Sequence, residues 1–198
     1  MLPSAFQQIL RKTDVSQIVR DHIVTPASGP HISDPELRHI ESVIRTKFQL
    51  SADQRVSAIV VGSAKLGFSF LEVRKNGQYK PAYRSYKPGI SDIDIAIVSP
   101  VVYGKIWSDL ASIGAHASRF PVSSKLGDYM YHGWLRPDHF PSPKAQRCID
   151  WDDAYREIQQ YPTLRNKRIR LALYHSQHFL ETYQQRGLRL ALEQEKFV

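Results

Sequence analysis

The sequence predicts an α/β protein with a small central sheet and a long C-terminal helix. Two apolar runs, Val56–Val61 and Ile93–Val98, have the length and β-branched composition of buried strands. Stretches with apolar residues at helical spacing stand before, between and after them. Helices alternating with strands in this way build a layered fold around one sheet. At 198 residues, 42% of them apolar, the chain suits a single domain over 1–198 with its own core. The expected partition is N-terminal helices over 1–50, a sheet region over 55–141 and C-terminal helices over 150–198.

In the first fifty residues, Phe6, Ile9, Leu10, Ile18 and Val19 mark two short helices, with Asp14 as the cap between them. Pro26, Gly29 and Pro30 make a loop. Asp34, Pro35 and Glu36 then open a helix as N-cap, first-turn proline and first-turn acid, with Leu37, Ile40, Ile44 and Phe48 as its inner stripe. The first strand follows and ends in Gly62-Ser63, a tight turn whose N–H groups and hydroxyl suit a phosphate, the more so if a helix starts there.

Residues 72–89 read as an insertion. Asn76-Gly77 predicts a small hairpin. Tyr79, Tyr83 and Tyr86 interleave with Lys80, Arg84 and Lys87, which suits stacking on unpaired bases and neutralising phosphates. The competing expectation is a tyrosine-rich loop packed on its own domain.

The strand 93–98 carries the chemistry. Ile93, Ile95 and Ile97 share one face, and Asp92, Asp94, Ala96 and Val98 the other. The carboxylates stand about 7 Å apart along the backbone. They repel unless a cation lies between them, and Mg²⁺ (or Mn²⁺) held by carboxylates and substrate phosphates is the natural partner. Beyond it, Tyr103 to His116 reads as a helix, Tyr129–Leu135 as a third strand, and Arg136 to Pro141 as a breaker. Asp150 or Asp152 caps a short helix through Ile158. Pro162 opens a long helix over roughly 163–185, with Ile169, Leu173 and Leu180 inward and Gly187 interrupting it.

Gly62, Ser63, Ser91, Asp92, Ile93 and Asp94 together form G-S followed by D-x-D on the next strand. In these residues the sequence resembles the DNA polymerase β-like nucleotidyltransferase superfamily, including its small stand-alone prokaryotic members. The resemblance covers about residues 55–100, and the gap between the two motifs is far longer here than is usual there. It implies a small mixed sheet of the nucleotidyltransferase type. It implies Asp92 and Asp94 as catalytic, metal-holding carboxylates, with Gly62, Ser63 and Ser91 at the nucleotide. Basic residues of the long helix, Arg165, Lys167, Arg168 and Arg170, would hold the triphosphate, Lys167 and Arg168 above all. The activity implied is transfer of NMP from an NTP to an acceptor hydroxyl, such as an RNA (tRNA) end. Small members of the family serve in toxin–antitoxin or phage-defence settings with a cognate partner or antitoxin protein. The family's third carboxylate is expected at Asp138 if the third strand runs antiparallel to 93–98, or at Asp128 if it runs parallel. The alternative is a catalytically degenerate relative that binds nucleotide, nucleic acid or a partner protein.

Composition agrees with a polyanionic ligand: 27 Lys and Arg against 19 Asp and Glu give a net charge of +8. One cysteine, Cys148, rules out a disulfide framework and a cysteine-rich zinc site. There is no apolar run of membrane-spanning length and no signal-like N-terminus, so a cytoplasmic protein without a membrane partner is expected. Neither a Walker A sequence nor a Gly-x-Ser-x-Gly elbow occurs. Arg170 and His175 have the Arg-x4-His spacing of HEPN ribonucleases, but those folds are all-helical and the two strands argue against one. His175 and His178 share a helix face without a third ligand nearby.

Overall fold

The structure, a computed structural model, describes residues 1–75, 77–116, 124–136, 140 and 145–195. Pro3–Lys12 forms α1, which buries Phe6 and Leu10. Asp14 accepts from the N–H groups of Ser16 and Gln17 and caps α2 (Val15–Ile18), which runs on as a π-helical turn through Val24. α3 (Asp34–Lys47) takes the expected cap, Asp34, into its first turn, so the true cap lies one residue earlier. Ser33 is the N-cap, and its N–H and hydroxyl donate to Glu36 at 2.8 and 2.9 Å in a capping box. The stripe Leu37, Ile40, Ile44 and Phe48 is buried as its spacing predicts.

β1 (Ser57–Val61) leads through the single turn α4 (Ser63–Leu66) into the insertion, which holds β2 (Phe68–Ser69), β3 (Val73–Lys75), β4 (Gln78–Lys80) and β5 (Arg84–Ser85). β2 pairs with β5, and β3 with β4 as the expected hairpin. After β6 (Ile93–Val98) come α5 (Pro100–His116), α6 (Ser124–Tyr131), β7 (Trp134–Leu135), α7 (Gln146–Gln160), β8 (Ile169–Tyr174) and α8 (Gln177–Glu195). The main sheet has the order β1-β6-β8-β7. β1 is antiparallel to β6, β6 parallel to β8, and β8 antiparallel to β7. The fold is therefore mixed α/β with a small mixed sheet and a long C-terminal helix.

Three expected elements change. The stretch 163–185 is not one helix: turns reach residue 166, β8 follows from Ile169, and α8 starts at Gln177. The residues 129–131 close α6, so of the expected strand 129–135 only Trp134 and Leu135 pair. α7 starts at Gln146 behind Ala145, which leaves Asp150 and Asp152 inside the helix instead of capping it.

The sheet separates two cores. Ile93, Ile95 and Ile97, with Ile169, Leu171 and Leu173, face the buried residues of α3, α5 and α7. Ile59, Val61, Ala96 and Tyr174 face those of α1, α2 and α8. Burying the three isoleucines of β6 is worth roughly 1.5–3 kcal/mol each. A one-residue slip would exchange them for Asp92 and Asp94, and charges in a dry core cost more than that. The isoleucines thus fix which way the two carboxylates point.

Candidate functional site

The antiparallel pairing of β1 and β6 sets Val61 opposite Asp94, so the end of one strand meets the start of the other. Gly62 follows with φ 68° and ψ −149°, a conformation that L side chains rarely adopt. A Cβ on Gly62 would lie 3.1 Å from Asp94 Oδ2. Glycine is needed here both for its backbone and for the close approach of the carboxylate. The helix that follows is a single turn, too short for an appreciable dipole, so any anion held here would rely on the Ser63 hydroxyl and local N–H groups. Ser91 shapes the turn before Asp92: its N–H donates to the Lys87 carbonyl at 2.8 Å, and its Oγ accepts from the Lys87 N–H at 3.1 Å.

The two carboxylates are treated differently. Burial pushes Asp94 up and the Arg170 charge pulls it down, while Asp92 raises it and Arg136 lowers it; the balance lies above the ordinary carboxylate range. Among the described residues none makes a hydrogen bond or ion pair to Asp94. Asp92, in contrast, is clamped: Arg168 Nε lies 3.1 Å from Oδ1 and an Arg170 terminal nitrogen 2.9 Å from Oδ2. β8, with the residue just before it, delivers the two arginines. Its parallel register sets Arg170 beside Asp94, and the Ile93 N–H donates to the Arg168 carbonyl at 2.7 Å. Arg168 is further held by the Ile90 carbonyl at 3.0 Å.

Lys167 points elsewhere. Its ammonium donates to Glu36 at 2.7 Å and to the His31 carbonyl at 2.8 Å, tying the loop before α3 to the turn before β8. Burial alone would raise Glu36, but the hydrogen bonds from Lys167 and Ser33 outweigh it and hold the carboxyl at about 2. Arg165 is exposed in the turn after Pro162. The cationic cluster expected on a helix is therefore divided. Arg168 and Arg170 meet the carboxylates, while Lys167 fastens the frame.

A cleft of about 1460 Å³ opens from this sheet end, lined by Gly62, Ser63, Asp94 and Arg170, and farther out by Trp134 and Tyr183. Three residues beside the carboxylates were not placed there by the sequence reading. Tyr86 is raised by burial and by the charges of Asp92 and Asp94, and His31 stacks on it at 4.3 Å. The Tyr155 hydroxyl donates to the Ile169 carbonyl at 2.8 Å beside Arg170. Arg136, immediately after β7, lines the cleft, and its charge acts on Asp94. β7 runs antiparallel to β6, but β8 lies between them, so the place beside Asp94 belongs to Arg170. Asp138 lies outside the described residues; Asp128, at an exposed position of α6, lines the cleft. Among the described residues no group of three or more His, Cys, Asp or Glu is placed to hold a metal ion.

The insertion folds largely onto its own domain. Arg84 turns inward, donating to the carbonyls of Leu71 and Pro81 and to Ser69 Oγ. Tyr83 packs on Phe68 and donates to Glu195, and Tyr86 is covered by His31. Tyr79 is exposed, with its hydroxyl on Glu72 and the Arg74 guanidinium over its ring. Lys80 and Lys87 are exposed.

Among the described residues no helix is long and apolar enough to cross a membrane. No protein-family model, no curated protein and no solved structure matches the chain.

Proposed function

We propose that this sheet end binds a nucleoside triphosphate with a divalent cation and transfers the nucleotidyl group to an acceptor hydroxyl. The observation that carries the reading is the contact of Gly62 with Asp94, through which G-S and D-x-D converge despite the long stretch between them. The residues fit one divalent cation. Asp94 is a half-buried carboxylate to which no described residue is ion-paired, and Asp92 stands two residues before it at the start of the same strand. They would hold Mg²⁺ or Mn²⁺, which supplies Lewis-acid stabilisation of phosphate charge when bound. A second ion is not supported, because the neighbouring strand offers Arg170 in place of a carboxylate.

The chain's own residues divide the work. Gly62 leaves room for phosphate oxygens next to Asp94, and Ser63 offers a hydroxyl to them. With Asp92 engaged by a cation, Arg168 and Arg170 would be free to meet the triphosphate, where guanidinium–phosphate hydrogen bonds are strong and directional. The pair would thus exchange an internal anion for a substrate anion. Tyr155 steadies the start of β8 and with it the position of Arg170.

One observation favours a second reading. Two carboxylates balanced by two guanidiniums attract a divalent cation weakly, as expected of a protein that binds nucleotide without turning it over. Incubation with each α-labelled NTP, Mg²⁺ or Mn²⁺ and total RNA separates the two. A labelled polymer that needs metal and disappears in Asp94→Asn supports transfer. Saturable NTP binding with no labelled product for any NTP supports the binder.

A further inference from the structure

We propose that the outer cleft, between the end of α6 and the exposed face of α8, is a binding site for single-stranded nucleic acid that presents its terminal hydroxyl to the Asp94 end. Its role as an acceptor site rests on the nucleotidyl-transfer reading; its capacity to bind does not. The insertion, where the sequence placed such a site, has turned two of its three tyrosines and Arg84 inward. Two exposed tyrosines lie together with an arginine here, on the wall of the cleft itself. Tyr131 is 84% exposed at the end of α6, and Tyr183 is 41% exposed on α8. Tyr131 stands edge-on to the His132 ring at 5.2 Å, and His132 Nε2 lies 3.4 Å from an Arg186 nitrogen. Tyr183, Arg186 and Leu190 follow at i, i+3 and i+7 on one face of α8. All of them line the cleft that reaches Ser63 and Asp94.

The chemistry specifies the occupant. Tyrosine faces left in water beside guanidinium groups suit unpaired bases, which stack on ring and guanidinium alike while the cation meets the phosphate. Trp134, behind Tyr183 at 5.0 Å and against Tyr129 at 4.2 Å, backs this surface with a rigid aromatic floor. A duplex hides its base faces and cannot use such a surface. A net charge of +8 favours a polyanion over a protein partner.

The test is fluorescence anisotropy with a fluorescein-labelled 12-nucleotide single-stranded RNA and the corresponding hairpin, in EDTA and without nucleotide. The outcome is then independent of Mg–NTP binding, which the NTP incubations read separately. The parent protein should bind the single strand and not the hairpin stem. Tyr131→Ala, at a site too exposed to threaten folding, should weaken binding at least about fivefold. Arg186→Ala should lower the slope of log K against log salt by about 0.7. Lys80→Ala/Lys87→Ala should bind as the parent does. The proposal is overturned if the parent does not bind the strand, if Tyr131→Ala binds fully, or if the loss maps to Lys80 and Lys87. It is equally overturned if sedimentation shows a self-association that Tyr131→Ala dissolves, since the surface would then belong to a second copy of the chain.

Discussion

Removing either arginine from Asp92 should move metal and nucleotide affinity in opposite directions. Arg168 and Arg170 sit 3.1 and 2.9 Å from the Asp92 oxygens, but their side chains are 55% and 59% exposed. At that exposure solvent screens the attraction, and each pair is worth roughly 0.2–1 kcal/mol rather than the several expected in a dry site. A cation entering Asp92 must displace them. Arg170→Gln should therefore raise Mn²⁺ affinity in the absence of nucleotide by up to about fivefold, and the double variant Arg168→Gln/Arg170→Gln by more. At saturating Mn²⁺, NTP affinity should fall at least about tenfold, since each charge-assisted hydrogen bond to phosphate is worth roughly 1.5–3 kcal/mol. Isothermal titration of Mn²⁺ and of NTP into parent and variants reads both changes. If Mn²⁺ binds equally or more weakly in both variants, Asp92 is not the shared ligand, and the exchange of anions fails as a mechanism.

Asp94→Asn should remove metal-dependent NTP binding yet raise the melting temperature. With its folded pKa above the ordinary value, the charged carboxyl costs stability at neutral pH, and the cost fades as the pH falls. The variant's advantage in thermal melts should therefore be present at pH 7 and gone at pH 3.5. Gly62→Ala combines backbone strain of roughly 1–3 kcal/mol with a methyl group 3.1 Å from Asp94 Oδ2, so urea midpoints and NTP affinity should drop together; unchanged NTP affinity would remove Gly62 from the site. Glu36, held at about 2 against an ordinary 4.5, contributes up to about 3 kcal/mol above pH 4.5 and loses it as the pH falls toward 2. Glu36→Gln should forfeit that at pH 7, and its urea midpoint should change less than the parent's between pH 4.5 and 2.

The parts of the site that lie next to each other in sequence were readable, and the parts joined by the sheet were not. Ile93, Ile95 and Ile97 alternate with the two aspartates without ambiguity, because β-branched residues at period two suit only a strand. The stretch 163–185 misleads because Ile169 and Leu173 are compatible with a helical i, i+4 repeat, while Ile169, Leu171 and Leu173 are equally a strand's alternation. Burial decides in favour of the strand, since all three enter the core beside β6. Reading that stretch as a helix puts Lys167, Arg168 and Arg170 in one cluster. As turn and strand, they point to different places, and Lys167 goes to Glu36. In 129–135 the aromatic content suggests a strand, yet Tyr129 and Tyr131 gain their contacts from a helix that stops just before Gly133. There φ is 69°, and an added Cβ would overlap the Phe179 ring.

The length of the stretch between Ser63 and Asp92 is the clearest departure from the resembled pattern, and the insertion's own pairing removes its physical consequence. β2 pairs with β5, setting Phe68 opposite Ser85, and the Tyr86 N–H donates to the Gly67 carbonyl at 2.8 Å. The excursion between Ser69 and Arg84 is thereby closed off, with its ends held beside each other by the pair. Closing a longer loop costs only about 0.6 kcal/mol for each doubling of its length, so tolerance of such an insertion is expected. What the chain needs at this point is a short path from α4 to β6, and the β2–β5 pair provides it. The distance that matters for chemistry is the one from Gly62 to Asp94, set by the β1–β6 register and blind to how many residues lie outside it.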